Sequence, residues 1–246
     1  MYDLPSYVWA LVLTGVIGIP AATSVMLYRG AEAAGLGRRT ATGTAAAAAA
    51  GLGGWIVTSS LLARAGVYHR GIGLGLVAFA GVLLGLLAAT RIPPIGRVLA
   101  APGTPARLAV PHTLRVVGVV FLVVMALGKL PAVFALPAGL GDIAIGLAAP
   151  LVARRLARGG GHAMAVRFNL LGILDLTVAV TIAFLANLDS LAVTPSTEPL
   201  TLLPLALVAT VAVPLAVALH IVSLRRLRPL ARTRAGRRGR PFPNTA

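Results

Sequence analysis

Seven long apolar segments follow one another along this chain, separated by short stretches that contain arginine, proline or glycine. A helix that crosses a bilayer needs about 20 mainly apolar residues, and each segment comes close to that length. The segments are Ser6–Tyr28, Ala41–Ala63, Gly71–Thr90, His112–Gly128, Pro137–Ala153, Phe168–Asn187 and Pro199–Leu224. The pattern predicts an all-α fold: a polytopic membrane protein with a seven-transmembrane-helix bundle at residues 1–224 and a basic tail at residues 225–246.

The composition agrees with that pattern, because 58% of the residues are hydrophobic, only 11% are charged and the mean hydropathy is +0.91. A soluble domain carries about a quarter charged residues. Cysteine is absent and the four histidines are scattered, so we predict no disulfide, no metal site and no cofactor. The abundance of alanine, glycine and arginine is typical of a GC-rich bacterial genome, and we therefore expect a multi-pass protein of a bacterial plasma membrane.

The basic residues are distributed unevenly between the two ends of the predicted bundle. There are 22 basic and 6 acidic residues, and all basic residues except Arg64, Arg70 and Lys129 lie at alternate connections or in the tail. Cytoplasmic connections of membrane proteins are enriched in lysine and arginine. The distribution predicts that the N-terminus is outside and the C-terminus is cytoplasmic. It also predicts anionic lipid headgroups as partners and no nucleic acid.

Two predicted helices carry an aspartate on a stripe of small residues. The fifth segment contains Gly139-x-x-Asp142-x-x-x-Gly146, and the sixth contains Gly172-x-x-Asp175-x-x-x-Ala179. Small residues at helical spacing mark close helix–helix contacts in membranes. Both aspartates are therefore predicted to point into the bundle, and ionisable groups at such positions are functional candidates.

The stretch from Gly128 to Asp142 places the only lysine, Lys129, near one of these aspartates. A Lys129–Asp142 ion pair could be purely structural, or it could belong to a polar pocket that opens to the outside. With the fifth helix beginning at Pro137, Asp142 and Asp175 would differ by about 10 Å in depth, too far for direct contact. Asp175 has no basic neighbour on its own helix, so we expect it to be protonated much of the time.

A second polar group is predicted at the cytoplasmic ends of the helices: His112, Arg115, Asn169 and His220. Capping and headgroup contact are the simplest roles for these residues. His112 and His220 are the only pair that could face each other across a haem, and we do not expect one.

The leading functional hypothesis is a carrier or permease for a small solute, possibly proton-coupled through intramembrane carboxylates. An alternative is a membrane-embedded enzyme that acts on a lipid or isoprenoid with an aspartate as general acid, which would need a lateral apolar opening. A third hypothesis is a structural or assembly subunit, which predicts fully hydrogen-bonded aspartates and no cavity. The candidate catalytic residues are Asp175 and Asp142. The candidate substrate-binding residues are Lys129, Asp142, Asp175, Arg64 and Asn169.

Overall fold

A computed structural model describes residues 4–187 and 193–238 of the chain. The described part is helical, with no strand, as predicted for an all-α fold. Six of its helices are long and apolar enough to cross a membrane, and a bent pair brings the count to seven if it forms one span. The chain is therefore an all-helical membrane protein with six to seven candidate spans.

The helices follow the predicted apolar segments but differ from them in their bounds. In chain order they are α1 (Ser6–Ala33), α2 (Gly37–Arg64), α3 (Val67–Arg70), α4 (Ile72–Ala89), α5 (Pro93–Ala100), α6 (Thr104–Ala109), a 3₁₀-helix (Val110–Gly118), α7 (Val119–Ala126), α8 (Ala132–Ala157), α9 (His162–Asn187), a short 3₁₀-turn (Glu198–Thr201), a π-helix (Val208–Ala212) and α10 (Val213–Arg238). The break between α4 and α5 bends the chain by 77°. Residues 239–246 of the predicted tail lie outside the described residues.

Glycine ends several of the long helices. Gly128 follows α7 with a φ of +70°, and the N–H of Lys129 donates to the carbonyl of Val124 at 3.0 Å. Gly159 after α8 has a φ of +76°, and the N–H of Gly160 donates to Arg155. Both are Schellman ends, in which the left-handed residue lets the next N–H bond a terminal carbonyl of the helix.

The fourth span begins earlier than the sequence pattern predicts. It runs over Thr104–Ala126, whereas we predicted His112–Gly128 and assigned residues 91–111 to a connector. Pro105 lies in the first turn of α6, where its missing N–H costs no helical hydrogen bond. Pro111 lies at the start of the 3₁₀-helix and does not end the span. Two prolines that are typical of a loop are therefore accommodated inside a membrane span.

Two unusual helical segments face the interior of the bundle. The 3₁₀-helix at Val110–Gly118 is nine residues long, although such helices rarely exceed three or four residues. The π-helix at Val208–Ala212 precedes α10. Segments of both kinds often mark functional sites or hinges.

Helix α8 packs between the 3₁₀-helix and α9, while α10 packs against α9, α6 and α4. Large apolar side chains remain exposed on the outer faces of α2, α4, α8 and α9, among them Leu61, Val77, Leu84, Leu147 and Leu174. A helix that is apolar on all sides is typical of a span that contacts lipid on one face and protein on the other. These four helices therefore present apolar surface to the bilayer.

A neutral polar cluster joins α2 and α3 to the π-helix. Tyr68 and Ser59 approach to 3.1 Å, Ser59 and Thr210 to 2.7 Å, and the Thr210 hydroxyl donates to the carbonyl of Ala206. The indole N–H of Trp55 donates to the carbonyl of Thr210 at 2.8 Å. Proline at position 214 has no N–H for the carbonyl four residues before it, and Trp55 supplies that missing donor. We call Trp55, Ser59, Tyr68 and Thr210 the neutral cluster.

Candidate functional site

One arginine holds both predicted aspartates in the interior of the bundle. The Nε of Arg115 donates to Oδ1 of Asp142 at 2.7 Å, and its Nη2 contacts the same oxygen at 2.6 Å. The same Nη2 donates to Oδ2 of Asp175. Arg115 comes from the 3₁₀-helix, Asp142 from α8 and Asp175 from α9. We call these three residues the ion triad.

The side chains of the triad are withdrawn from the surface. Arg115 is 2% exposed, and the aspartates are 16% and 14% exposed. The prediction that both aspartates point into the bundle is confirmed. The expectation that Asp175 lacks a charged partner is wrong, because Arg115 binds it across the helix interface.

The two aspartates lie at nearly the same depth, and the predicted separation of about 10 Å is wrong. Helix α8 begins at Ala132 rather than Pro137, and α9 begins at His162 rather than Phe168. Measured from the α8–α9 turn, Asp142 and Asp175 are about 15 and about 13 residues along their helices, a difference of about 3 Å. Both carboxylates can therefore reach one guanidinium.

The earlier start of α8 also separates Asp142 from Lys129. Lys129 lies in the connection before Ala132, and about ten helical residues, or about 15 Å, separate Ala132 from Asp142. The predicted Lys129–Asp142 ion pair is therefore wrong. Arg64 is exposed at the carboxyl end of α2, so the structure does not bring it to the triad either.

A hydrogen-bonded chain runs from the triad towards the α8–α9 turn. Nη1 of Arg115 lies 3.2 Å from Nε2 of His220, and Nδ1 of His220 lies 2.9 Å from Oδ1 of Asn169. The Asn169 amide donates to Ser223 at 3.0 Å and to the carbonyl of Ala165. Arginine can only donate, so Nε2 of His220 accepts and its Nδ1 carries the proton. The network thus holds His220 as a neutral imidazole.

His112 lies against this chain without joining it. Its ring stacks on His220 with centroids 3.8 Å apart and planes 18° apart, and Phe168 contacts both rings edge-on. Both ring nitrogens of His112 are buried and have no hydrogen-bond partner in the described part of the chain. The headgroup contact that we expected of His112, Arg115, Asn169 and His220 is wrong, because all four side chains are buried within the protein. Stacked rings present faces rather than nitrogens to each other, so this pair is unsuited to ligate one haem iron from opposite sides.

Glycines make room for the charged groups. A Cβ at Gly141 would overlap Oδ1 of Asp175, and a Cβ at Gly172 would overlap Nε2 of His220. A Cβ at Gly118 would overlap Asp142, and one at Gly146 would lie 2.7 Å from Val116 Cγ1. Glycines on and beside the two stripes therefore do more than bring helices together, because they leave space for the two aspartates and for His220.

Two cavities adjoin the triad. The first, of about 40 Å³, is bounded by Arg115 and Asp142 together with apolar residues of α1, the 3₁₀-helix and α10. The second, of about 70 Å³, is bounded by Asp142 and Asp175 and otherwise by apolar residues that include Phe121, Phe134 and Leu176. The π-helix contributes Val208 to both. Asp142 thus lies where the two cavities meet.

The structure brings together three of the predicted site residues, Asp142, Asp175 and Asn169, and adds Arg115 and His220, for which the sequence predicted a surface role. If the fourth apolar segment had been taken to begin at Thr104, Arg115 would have lain near its middle. An arginine in that position would have indicated a functional site. Within the described ranges, no group of three or more His, Cys, Asp or Glu residues is arranged to hold a metal ion.

Comparison with known proteins gives a family but no characterised relative. No curated protein and no solved structure matches the chain. Residues 73–228 match a family described as "Domain of unknown function (DUF8737)", and this range contains every residue of the triad and of its hydrogen-bonded chain. The matched region is more than half of the sequence, and the chain therefore belongs to this family of unknown function.

Proposed function

We propose that the protein is a carrier for a small solute in a bacterial plasma membrane, and that the ion triad couples the carrier to protons. The observation that carries the proposal is the sharing of one buried arginine by two carboxylates beside two cavities. Ionisable groups in membrane spans are costly, so they persist mainly where they serve ion or substrate pathways.

The charge of the triad supports proton coupling. Two carboxylates and one guanidinium leave a formal charge of −1, and His220 is held neutral by its hydrogen bonds. A net charge at membrane depth is unfavourable, and one added proton would neutralise it. Gain and loss of that proton would also weaken and restore the hold of Arg115 on α8 and α9. A two-state element of this kind is what an alternating-access carrier requires.

The basic residues support a fixed orientation. Arg154, Arg155 and Arg158 cluster at the α8–α9 turn, and further arginines follow Leu224. We place this end in the cytoplasm, with the C-terminus, and the N-terminus outside. The arginines would contact anionic lipid headgroups there.

A membrane-embedded enzyme for a lipid or isoprenoid is the second candidate, and the apolar walls of both cavities favour it. In that case Asp142 or Asp175 would serve as general acid towards a substrate that enters from the bilayer. The presence of cavities argues against a purely structural subunit, for which we expected none.

Solute-driven proton movement tests the carrier. The purified protein would be reconstituted in liposomes that contain a pH-sensitive dye and exposed to a panel of amines, amino acids, sugars and organic acids. We expect at least one class to drive proton movement in the wild-type protein. The movement should be lost in Asp175→Asn and Asp142→Asn and retained in Ser59→Ala, whose side chain belongs to the neutral cluster.

The carrier proposal is overturned if no class drives protons through the folded wild-type protein, or if both asparagine variants behave like the wild type. A lipid product formed from bilayer lipids by the wild type alone would favour the enzyme instead.

A further inference from the structure

We propose that Asn169 is a positioning residue: it fixes the tautomer of His220, and His220 in turn fixes the orientation of the Arg115 guanidinium in the ion triad. This role differs from the substrate-binding role predicted from the sequence. It is argued from hydrogen-bond geometry, and only its effect on proton movement rests on the proposed carrier function.

Asn169 is held so that its amide oxygen faces His220. Its amide nitrogen donates to the carbonyl of Ala165 at 2.7 Å and to the hydroxyl of Ser223 at 3.0 Å. A backbone carbonyl can only accept, so the bond to Ala165 determines which way the amide points. The amide oxygen then lies 2.9 Å from Nδ1 of His220. Because an amide oxygen also only accepts, the hydrogen of the imidazole lies on Nδ1.

The other ring nitrogen of His220 is thereby left as an acceptor for Arg115. Nη1 of Arg115 donates to Nε2 of His220 at 3.2 Å. A neutral histidine without partners in water favours the opposite tautomer, in which the hydrogen on Nε2 would confront the guanidinium. The hydrogen bond that one imidazole nitrogen makes determines which nitrogen carries the proton. The bond to Asn169 therefore selects the tautomer that Arg115 needs.

His220 completes the set of acceptors around the guanidinium. Nε and Nη2 of Arg115 bind Asp142, Nη2 also binds Asp175, and Nη1 binds His220. A guanidinium is a rigid planar fork, so acceptors on different nitrogens fix its rotation. His220 thus keeps the remaining two nitrogens directed at the carboxylates.

The chain from Asn169 to Arg115 is enclosed by the protein. Asn169, His220 and Ser223 are buried, and a Cβ at Gly172 would overlap Nε2 of His220. The described residues that bound the two cavities include neither Asn169 nor His220. Asn169 therefore acts on the triad through His220 and Arg115, and not by touching the contents of a cavity.

Solid-state NMR of the full-length protein in liposomes measures the tautomer, with histidine isotopically labelled at both ring nitrogens. The chain has four histidines, and the signals of the other three are identified by His69→Gln, His112→Phe and His162→Gln. At neutral pH we expect His220 to be neutral, with a hydrogen on Nδ1 and none on Nε2.

A variant without the triad separates the effect of Asn169 from that of the guanidinium, which favours the same tautomer. In the apolar variant Arg115→Met/Asp142→Leu/Asp175→Leu, no polar side chain of the triad remains beside His220. We expect the hydrogen to stay on Nδ1, because the bond to Asn169 remains.

Two further substitutions in the apolar variant locate the cause. Adding Asn169→Leu should move the hydrogen of His220 to Nε2 in most molecules. Adding Ser223→Ala instead should leave it on Nδ1, because the carbonyl of Ala165 still orients the amide. Circular dichroism identifies any variant that fails to fold.

Single variants keep the test decisive if the apolar variant fails to fold. In Asn169→Leu the Nδ1 proton of His220 should lose the downfield shift of a hydrogen-bonded proton, and in Ser223→Ala it should keep that shift. Proton movement in the liposome assay should fall in Asn169→Leu and stay at the wild-type level in Ser223→Ala.

The inference is overturned if wild-type His220 carries its hydrogen on Nε2 or is charged at neutral pH, if the folded apolar variant carries it on Nε2, or if Asn169→Leu leaves the Nδ1 proton unchanged. Failure of the carrier proposal has a different result: the tautomers would be as expected, but no solute in the panel would move protons. Proton movement in a protein whose His220 has the opposite tautomer would keep the carrier and reject this role of Asn169.

Discussion

The structure contains two buried polar clusters, the neutral cluster and the ion triad, and each joins three helical segments. They differ in charge and in their surroundings, and the difference distinguishes a structural role from a functional one. The neutral cluster of Trp55, Ser59, Tyr68 and Thr210 contains no charge, and each hydroxyl in it has a partner. The ion triad has a formal charge of −1 with both carboxylates ionised, and it adjoins two cavities. It also lies next to His112, whose two ring nitrogens have no hydrogen-bond partner among the described residues.

The comparison shows what a membrane protein needs for packing alone. Neutral hydroxyl and indole groups are sufficient to tie α2 and α3 to the π-helix and to bond a carbonyl that Pro214 leaves open. Nothing in helix packing requires two carboxylates on one arginine at membrane depth, where buried charges give little net stability. The triad is therefore the feature that stability does not explain.

Removal of Arg115 gives the largest expected effect. Arg115→Met leaves two carboxylates without their cation, and we expect a loss of about 3–5 kcal/mol in the free energy of unfolding. Titration with sodium dodecyl sulfate in mixed micelles measures this loss. In the triple variant Arg115→Met/Asp142→Asn/Asp175→Asn, none of the three triad positions is charged. This variant should regain most of the unfolding free energy that Arg115→Met loses. If the single variant is as stable as the wild type, the triad does not hold the three helices together.

A methyl group at Gly141, the residue before Asp142, tests whether a glycine is needed there to admit Asp175. Gly141→Ala places a Cβ on the carboxylate of Asp175, and we expect a loss of about 1–3 kcal/mol together with altered proton movement in liposomes. Gly43→Ala in α2 is the matched control, because a Cβ there has no atom within 4 Å. The control should be neutral or gain up to about 1 kcal/mol. Equal behaviour of the two variants would refute the close approach.

Ser59→Ala tests whether the neutral cluster has only a structural role. It removes the hydroxyl between Tyr68 and Thr210, and we expect the unfolding free energy to fall by about 1 kcal/mol. Proton movement in liposomes should remain at the wild-type level. A loss of proton movement in a variant with near-wild-type stability would mean that the neutral cluster has a functional role, and the distinction between the two clusters would fail.

His112→Phe is expected to have the smallest effect on stability. The ring of His112 is buried, and neither of its nitrogens bonds to any residue that the structure describes. An apolar ring of similar shape should therefore be neutral or stabilising by about 1 kcal/mol. Thermal unfolding monitored by circular dichroism in detergent provides the measurement. A clear destabilisation would show that the ring nitrogens of His112 form hydrogen bonds in the protein, and His112 would then belong to the candidate site.

The fold was largely predictable from the sequence, because a span of about 20 apolar residues leaves little choice of structure in a bilayer. The inward orientation of Asp142 and Asp175 was predictable from the small residues three and four positions away. Neither prediction depends on where a helix ends, and this is why both agree with the structure.

The partner of the aspartates was not predictable, because it depended on helix ends. Pro137 looks like the first turn of α8, where proline is favoured, yet it lies inside the helix. Pro105 and Pro111 look like a loop, yet they lie inside the fourth span. Prolines are tolerated in membrane helices when neighbouring groups satisfy the freed carbonyls. Each misplaced end shifted a charged residue in depth, so Lys129 was paired with Asp142 while Arg115 was placed at the surface.

The nine-residue 3₁₀-helix that carries Arg115 is longer than an α-helix of the same number of residues would be. A 3₁₀-helix rises about 2.0 Å per residue and an α-helix about 1.5 Å, so conversion of Val110–Gly118 to α-helix would shorten this span by about 4–5 Å. It would also turn Arg115 about the span axis, since the two helices wind at different rates. Because Arg115 lies five residues from Val110 and three from Gly118, its guanidinium would move by about 2–3 Å at most along the span axis relative to its carboxylates, while the ends of the other spans stayed in place.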